Sequence, residues 1–264
     1  MIAGDDYLAA LSVQQVAAWY RRLADQTSKK RIDGQEPLAA IFLRRWLDNR
    51  NPNSVFQFQA PSYLRSSSFV TSVRQYHRAV FLTEQRARFT SGRQAWAGVV
   101  PRLQGTPGFT PWDVRSNLQM DYESLVEIGS NAVEIARIQY HGTPAERDLL
   151  ASLRGFQLRS RVSVSGARLA NSQVRITFVS WFCRVTDRYD FDYHERFTVE
   201  NPDHNRTSAD AVRPQDRFIR VYHTNARRVE QAGLAAPYNL TSDEWRVSDA
   251  AVLRPADVDH GRRL

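Results

Sequence analysis

Cysteine is almost absent. The single one, Cys183, allows no intramolecular disulfide and no cysteine-rich metal site. With Phe182 and Val185 as neighbours it reads as a buried core thiol and not as a nucleophile. Long apolar runs are missing too, so no segment has the length of a bilayer-spanning helix. The opening stretch MIAGDDYLAALSVQQ lacks the basic start and apolar core of a secretory signal. Synthesis in the cytoplasm is therefore expected, with release or injection by some other route. No glycine-rich loop follows a strand-like run, which removes the nucleotide-cradling fingerprint. There is no HExxH string and no paired His/Cys spacing, so nothing indicates zinc. Internal repeats and low-complexity tracts are also missing.

Negative charge is in deficit: 36 Lys and Arg face 28 Asp and Glu, leaving a net charge of +8. Such a surface attracts polyanions, anionic head groups or pyrophosphates. Most of the surplus is arginine, the better fork for phosphate oxygens. The arginines are spread through both halves of the chain and not massed on one helix, which disfavours nucleic acid as a partner. With 264 residues, 42% of them hydrophobic, the chain can bury a sizeable core.

The first part of the chain has helical periodicity. Val13, Val16, Tyr20 and Leu23 recur at helical spacing behind Ser12, which suits an N-cap. Leu38, Ile41, Phe42 and Trp46 do the same after Pro37. Val70, Val73, His77, Val80 and Phe81 form a third stripe, on which His77 is a face residue and not a ligand. Three prolines and two glycines in 99–114 mark a linker. Leu125, Ile128, Ala132 and Ile135 then predict one helix stopped by Gly142, with a short helix restarting at Thr143-Pro144. Beyond Gly155 the texture becomes strand-like. FQLRSRVSVSG and QVRITFVSWFCRV alternate as adjacent strands, the second with Val174, Ile176 and Phe178 on one face. RFTVE is a strand closed by a turn at Asn201-Pro202. A helix is expected over about Arg220 to Gln231, ended by Gly233, and a last strand in APYNLTSDEWRV. The expected class is α+β, with a helical part at 1–98, a linker at 99–118 and an α+β domain at 119–264.

The densest chemistry is VTDRYDFDYHERF, residues 185–197, which directly follows the most apolar strand. Asp187, Tyr189, Asp190, His194 and Arg196 together suit the cleavage of a phosphoester or pyrophosphate. Carboxylates hold a magnesium-type cation through oxygen. A carboxylate or the histidine takes a proton from water. An arginine stabilises charge on phosphoryl oxygens. The same residues also suit a purely structural strand end, in which Arg188 pairs with Asp190 and Tyr189 plugs a gap.

The string Asp187-x-Tyr189-Asp190, followed by His194 and Arg196, resembles the active-site motif of the colicin M bacteriocins. The similarity covers at most residues 120–260. The histidine and arginine, adjacent in that family, are here separated by Glu195 and stand closer to the aspartates. The resemblance implies a small, partly open β-barrel-like sheet decorated with helices. It implies a magnesium-dependent phosphodiesterase that cleaves lipid II between undecaprenyl and pyrophosphate in the periplasm of target bacteria. Asp187, Tyr189, Asp190, His194 and Arg196 would be its catalytic set, with Asp187 and Asp190 holding Mg2+. Peripheral membrane contact and a cognate immunity protein would accompany it. Two other functions stay open: a secretion-associated binding or structural module, and a nuclease toxin using the same cluster.

Overall fold

The computed structural model describes residues 6–90, 119–168, 174–191 and 196–247. Seven helices and eight strands are present among them: α1 (Val13–Ser28), α2 (Leu38–Asp48), β1 (Val55–Phe58), α3 (Ser62–Arg65), α4 (Ser68–Thr90), β2 (Gln119–Glu127), α5 (Ala132–His141), α6 (Pro144–Ser152), β3 (Gly155–Arg168), β4 (Val174–Tyr189), β5 (Arg196–Glu200), β6 (Phe218–Tyr222), α7 (His223–Gln231), β7 (Tyr238–Ser242) and β8 (Trp245–Arg246). The class is α+β, and the described strands do not close into a barrel. Contacts group the chain into two compact units that interleave along the sequence. One comprises residues 1–64, 127–156 and 186–241, and the other comprises 65–126, 157–185 and 242–264. The expected linker at 99–118 lies outside the described residues.

The first unit is built around aromatic side chains. α1 starts with a reciprocal capping box, in which the Gln15 amide donates to Ser12 Oγ and the Ser12 amide to Gln15 Oε1. Its buried stripe is Val16, Trp19, Tyr20, Leu23 and Ala24, and it packs on α2, whose buried residues include Phe42, Leu43, Trp46 and Leu47. Tyr20 meets Trp19 and Trp46 edge-on, with ring centroids 5.4 Å apart in each pair. Such edge contacts add to the area buried. Pro37 precedes α2 but supplies no side-chain cap. The cap comes from Asp148 on α6, whose carboxylate accepts from the Leu38 and Ala39 amides at 2.9 and 3.0 Å and from the Tyr63 hydroxyl at 2.7 Å. This buried acid terminates the open end of α2 from 110 residues away. In this unit β1, β7 and the end of β4 lie side by side in that order. β5 and β6 form a separate antiparallel ribbon.

Two expectations need correction here. The helix predicted across 120–142 is a strand, β2, followed by a turn and then α5. Side chains from Asp121 to Ile128 alternate exposed and covered, with Val126 and Ile128 buried while Leu125 is 52% exposed. That period of two overrides the helical stripe, because every second residue can be covered only on a strand. Gly129, at φ +76°, makes the turn, and a β-carbon there would meet Ile135 Cγ1 at 2.6 Å. The helix expected from Arg220 begins instead at His223, since Phe218–Tyr222 alternates with Ile219 and Val221 buried and pairs with β5. Gly233 ends it in the left-handed region, as expected.

In the second unit β4, β3 and β2 are neighbours in that order, and β8 pairs antiparallel with β4, Cys183 opposite Trp245. Cys183 is buried, as expected, and burial raises its thiol pKa. His77 lies on the buried stripe of α4 with Val70. Its Nδ1 bonds Ser160 Oγ at 2.8 Å and its Nε2 bonds Ser124 Oγ at 2.9 Å. Burial lowers its pKa to about 4, so the ring is neutral and structural. The side chains of Phe81, Val174, Ile176 and Phe178, and the connection at 169–173, lie outside the described residues.

Candidate active site at the end of strand β4

The last turn of chemistry on β4 is positioned by β7. Thr186, Asp187, Arg188 and Tyr189 pair antiparallel with Thr241, Leu240, Asn239 and Tyr238 in register. Strand alternation then sends Asp187 and Tyr189 to one face and Arg188 to the other. The Tyr189 ring stacks on Tyr238 at 5.5 Å and meets Phe42 and Phe191 edge-on at 5.9 and 5.7 Å. Tyr238 is itself held by a 2.8 Å hydrogen bond from its hydroxyl to the Phe42 carbonyl oxygen. Burial raises the Tyr189 pKa above the usual phenol value, and the charge of Asp148 adds to this. Tyr189 is thus a neutral wedge in the aromatic core.

Asp187 differs from an ordinary surface carboxylate. It is half-buried, and burial raises its pKa from 3.8 to about 7, with a further push from the nearby charge of Asp190. The Arg188 backbone amide opposes the shift by bonding the carboxylate. Asp190 is exposed and forms an ion pair with the Arg188 guanidinium, Oδ2 to Nε 3.4 Å. Arg188 also donates to Asn239 Oδ1 at 3.3 Å. Phe191 then turns back into the core, edge-on to Trp46 at 5.0 Å and to His223 at 5.1 Å.

Asp187 and Tyr189 therefore share one face of the strand end, while Asp190 pairs with Arg188 on the other, its charge still reaching Asp187. His194 lies outside the described residues. Arg196 opens β5 opposite Tyr222, and its side chain is likewise outside them. Both features of a structural strand end are also present: Arg188 pairs with Asp190, and Tyr189 fills a gap among aromatics. Among the described residues no three His, Cys, Asp or Glu side chains gather into a metal site. The oxygen donors there are the two carboxylates.

Three buried polar assemblies escaped the sequence reading. Asp148, the cap on α2, sits beside Leu149 and one turn before Ser152, all buried. An acid on the buried stripe of a helix was the available signal. Asp203, fully buried, takes a two-pronged bond from Arg22 at 2.6 and 2.8 Å and a third from the Val212 amide. Asn201 donates to the carbonyls of Val212, Arg213 and Asp216 and so shapes the loop between β5 and β6. The Asn201-Pro202 turn was legible, but its partners were not. The chain matches no protein-family model, no curated protein and no solved structure.

Proposed function

We propose that the chain is an antibacterial toxin that hydrolyses lipid II between undecaprenyl and pyrophosphate, with Asp187 as its central carboxylate. The observation that carries this reading is the environment of Asp187. A carboxyl raised to about 7 exchanges its proton at neutral pH and is strong enough as a base to take one from water. Water adds to the phosphorus, its proton passes to Asp187, and the bond from phosphorus to the polyprenyl oxygen breaks. The leaving alkoxide needs a proton, a role suited to His194. Charge growing on the phosphoryl oxygens suits the Arg196 guanidinium. Tyr189, locked between Tyr238 and Phe42, fixes the strand end from which Asp187 projects.

The donor chemistry is compatible with magnesium. Asp187 and Asp190 are hard oxygen ligands, and Asp187 carries the repulsion of Asp190 that a divalent cation would relieve. These two residues would hold the ion, and when bound it would polarise a phosphoryl oxygen. A nuclease built on the same residues is the runner-up, since a phosphodiester presents the same oxygens. A binding or structural module is favoured by one observation, the Arg188–Asp190 pair beside a packed Tyr189.

The compartment of killing separates them. Sent to the periplasm of a test bacterium, the chain should cause lysis with cell-wall defects, and Asp187→Asn should abolish it. Held in the cytosol, it should be harmless. Killing from the cytosol with nucleic-acid degradation would replace this reading by the nuclease. Survival in both compartments, with the folded protein present, would favour the binding module.

A further inference from the structure

The β5–β6 ribbon covers only one of its faces. Ile219 and Val221 are buried, while Phe218 and Arg220 point outward, Phe218 being 57% exposed. Register places Arg220 opposite the exposed Thr198 and Phe218 opposite Glu200. Arg217 lies over the Phe218 ring, 5.4 Å from its centroid. Glu200 ties a second basic segment to this face: Lys30 bonds its carboxylate, and Arg217 approaches it at 3.6 Å. These contacts lower the Glu200 pKa, the Lys30 bond most of all. Lys30 and its exposed neighbours Lys29 and Arg31 follow the end of α1, and Lys29 and Lys30 are the only lysines in the chain. Five cations thus lie on the two exposed segments that Glu200 links, Lys29, Lys30 and Arg31 on one and Arg217 and Arg220 on the other with Phe218, against Glu200 and the sequence neighbours Asp33 and Asp216.

An exposed aromatic ring gains most where an apolar layer lies directly beneath a layer of anions. Cations beside the ring then meet phosphate oxygens while the ring enters the acyl boundary. We infer that this face, Lys29–Lys30–Arg31 with Arg217, Phe218 and Arg220, docks on an anionic phospholipid surface. The choice of a membrane rests on the lipid II reading, since a polyprenyl substrate is reached only at a bilayer. The charge complementarity and the exposed ring do not depend on it.

The test uses the purified full chain in vesicle sedimentation. Phosphatidylcholine vesicles should bind little, and the same vesicles with phosphatidylglycerol added should bind strongly, less so as salt is raised. Arg217→Ser with Arg220→Ser should weaken that binding about thirty-fold, at roughly one membrane-facing charge each. Phe218→Ala should weaken it by about five-fold or more while leaving the salt dependence unchanged. Circular dichroism matching wild type keeps these losses attributable to the surface. Both variants should still cleave lipid II dissolved in detergent and lose cleavage only in vesicles. Equal binding to neutral and anionic vesicles, or unchanged binding by the variants, would overturn the inference. So would tighter binding to single-stranded DNA that the same variants abolish. If no protein cleaves lipid II in detergent but anionic vesicles still bind through this face, the catalytic reading fails and the docking surface stands.

Discussion

Holding Asp187 at the end of β4 has a cost that depends on pH. Its carboxyl keeps a proton in the fold up to about pH 7, whereas in the unfolded chain it loses it near the ordinary 3.8. Between those values the folded state binds more protons than the unfolded one. Stability therefore falls as pH rises through the window and stays lower above it. Asp187→Asn removes the penalty. The variant should be more stable than wild type at about pH 8 by on the order of 2–4 kcal/mol, and nearly equal at about pH 4. Urea titrations at the two pH values measure this, and an equal difference at both would contradict it. The identity and spacing of Asp187, Tyr189 and Asp190 were legible in one line of sequence. What makes Asp187 unusual was not, because its burial comes with pairing to Leu240, more than fifty residues later. The Arg188–Asp190 pair was foreseen as a structural alternative, since i and i+2 side chains share one face of an extended segment.

At the scale of elements, α2 depends on a residue it does not contain. Asp148 satisfies two amides at its open end and the Tyr63 hydroxyl, all away from water. Asp148→Ala leaves those three donors unpaired and should destabilise the protein by about 2–4 kcal/mol in chemical denaturation. Asp148→Asn, which keeps acceptor capacity, should lose less. A loss no larger than that of an exposed aspartate, such as Asp48→Ala, would contradict the capping role. Helices with clean local signals were legible, among them α1 with its Ser12–Gln15 box and α6 with Thr143 and Glu146. β2 and the last three residues of β6 were read as helix because MDYESLVE and RVY satisfy both periods over so short a span. Neighbouring strands decide between the periods, and their identity is a tertiary fact.

Across the whole molecule, periodicity indicated the α+β class and composition an arginine-rich surface, but neither indicated the interleaving of the two compact units. Interleaving arises because α3, β2, β3, β4 and β7 each begin in one unit and end in the other, which no local pattern records. The +8 charge becomes informative only where the fold gathers it, as it does where Glu200 links Lys30 to Arg217 beside Phe218. The central claim is that Asp187 carries phosphodiester hydrolysis, and turnover of purified lipid II in detergent with magnesium tests it most directly. Wild type should release undecaprenol and the pyrophosphorylated disaccharide-peptide. Asp187→Asn, folded and more stable, should lose at least about a hundred-fold in rate. No product from wild type, or equal turnover by the two proteins, would contradict the claim.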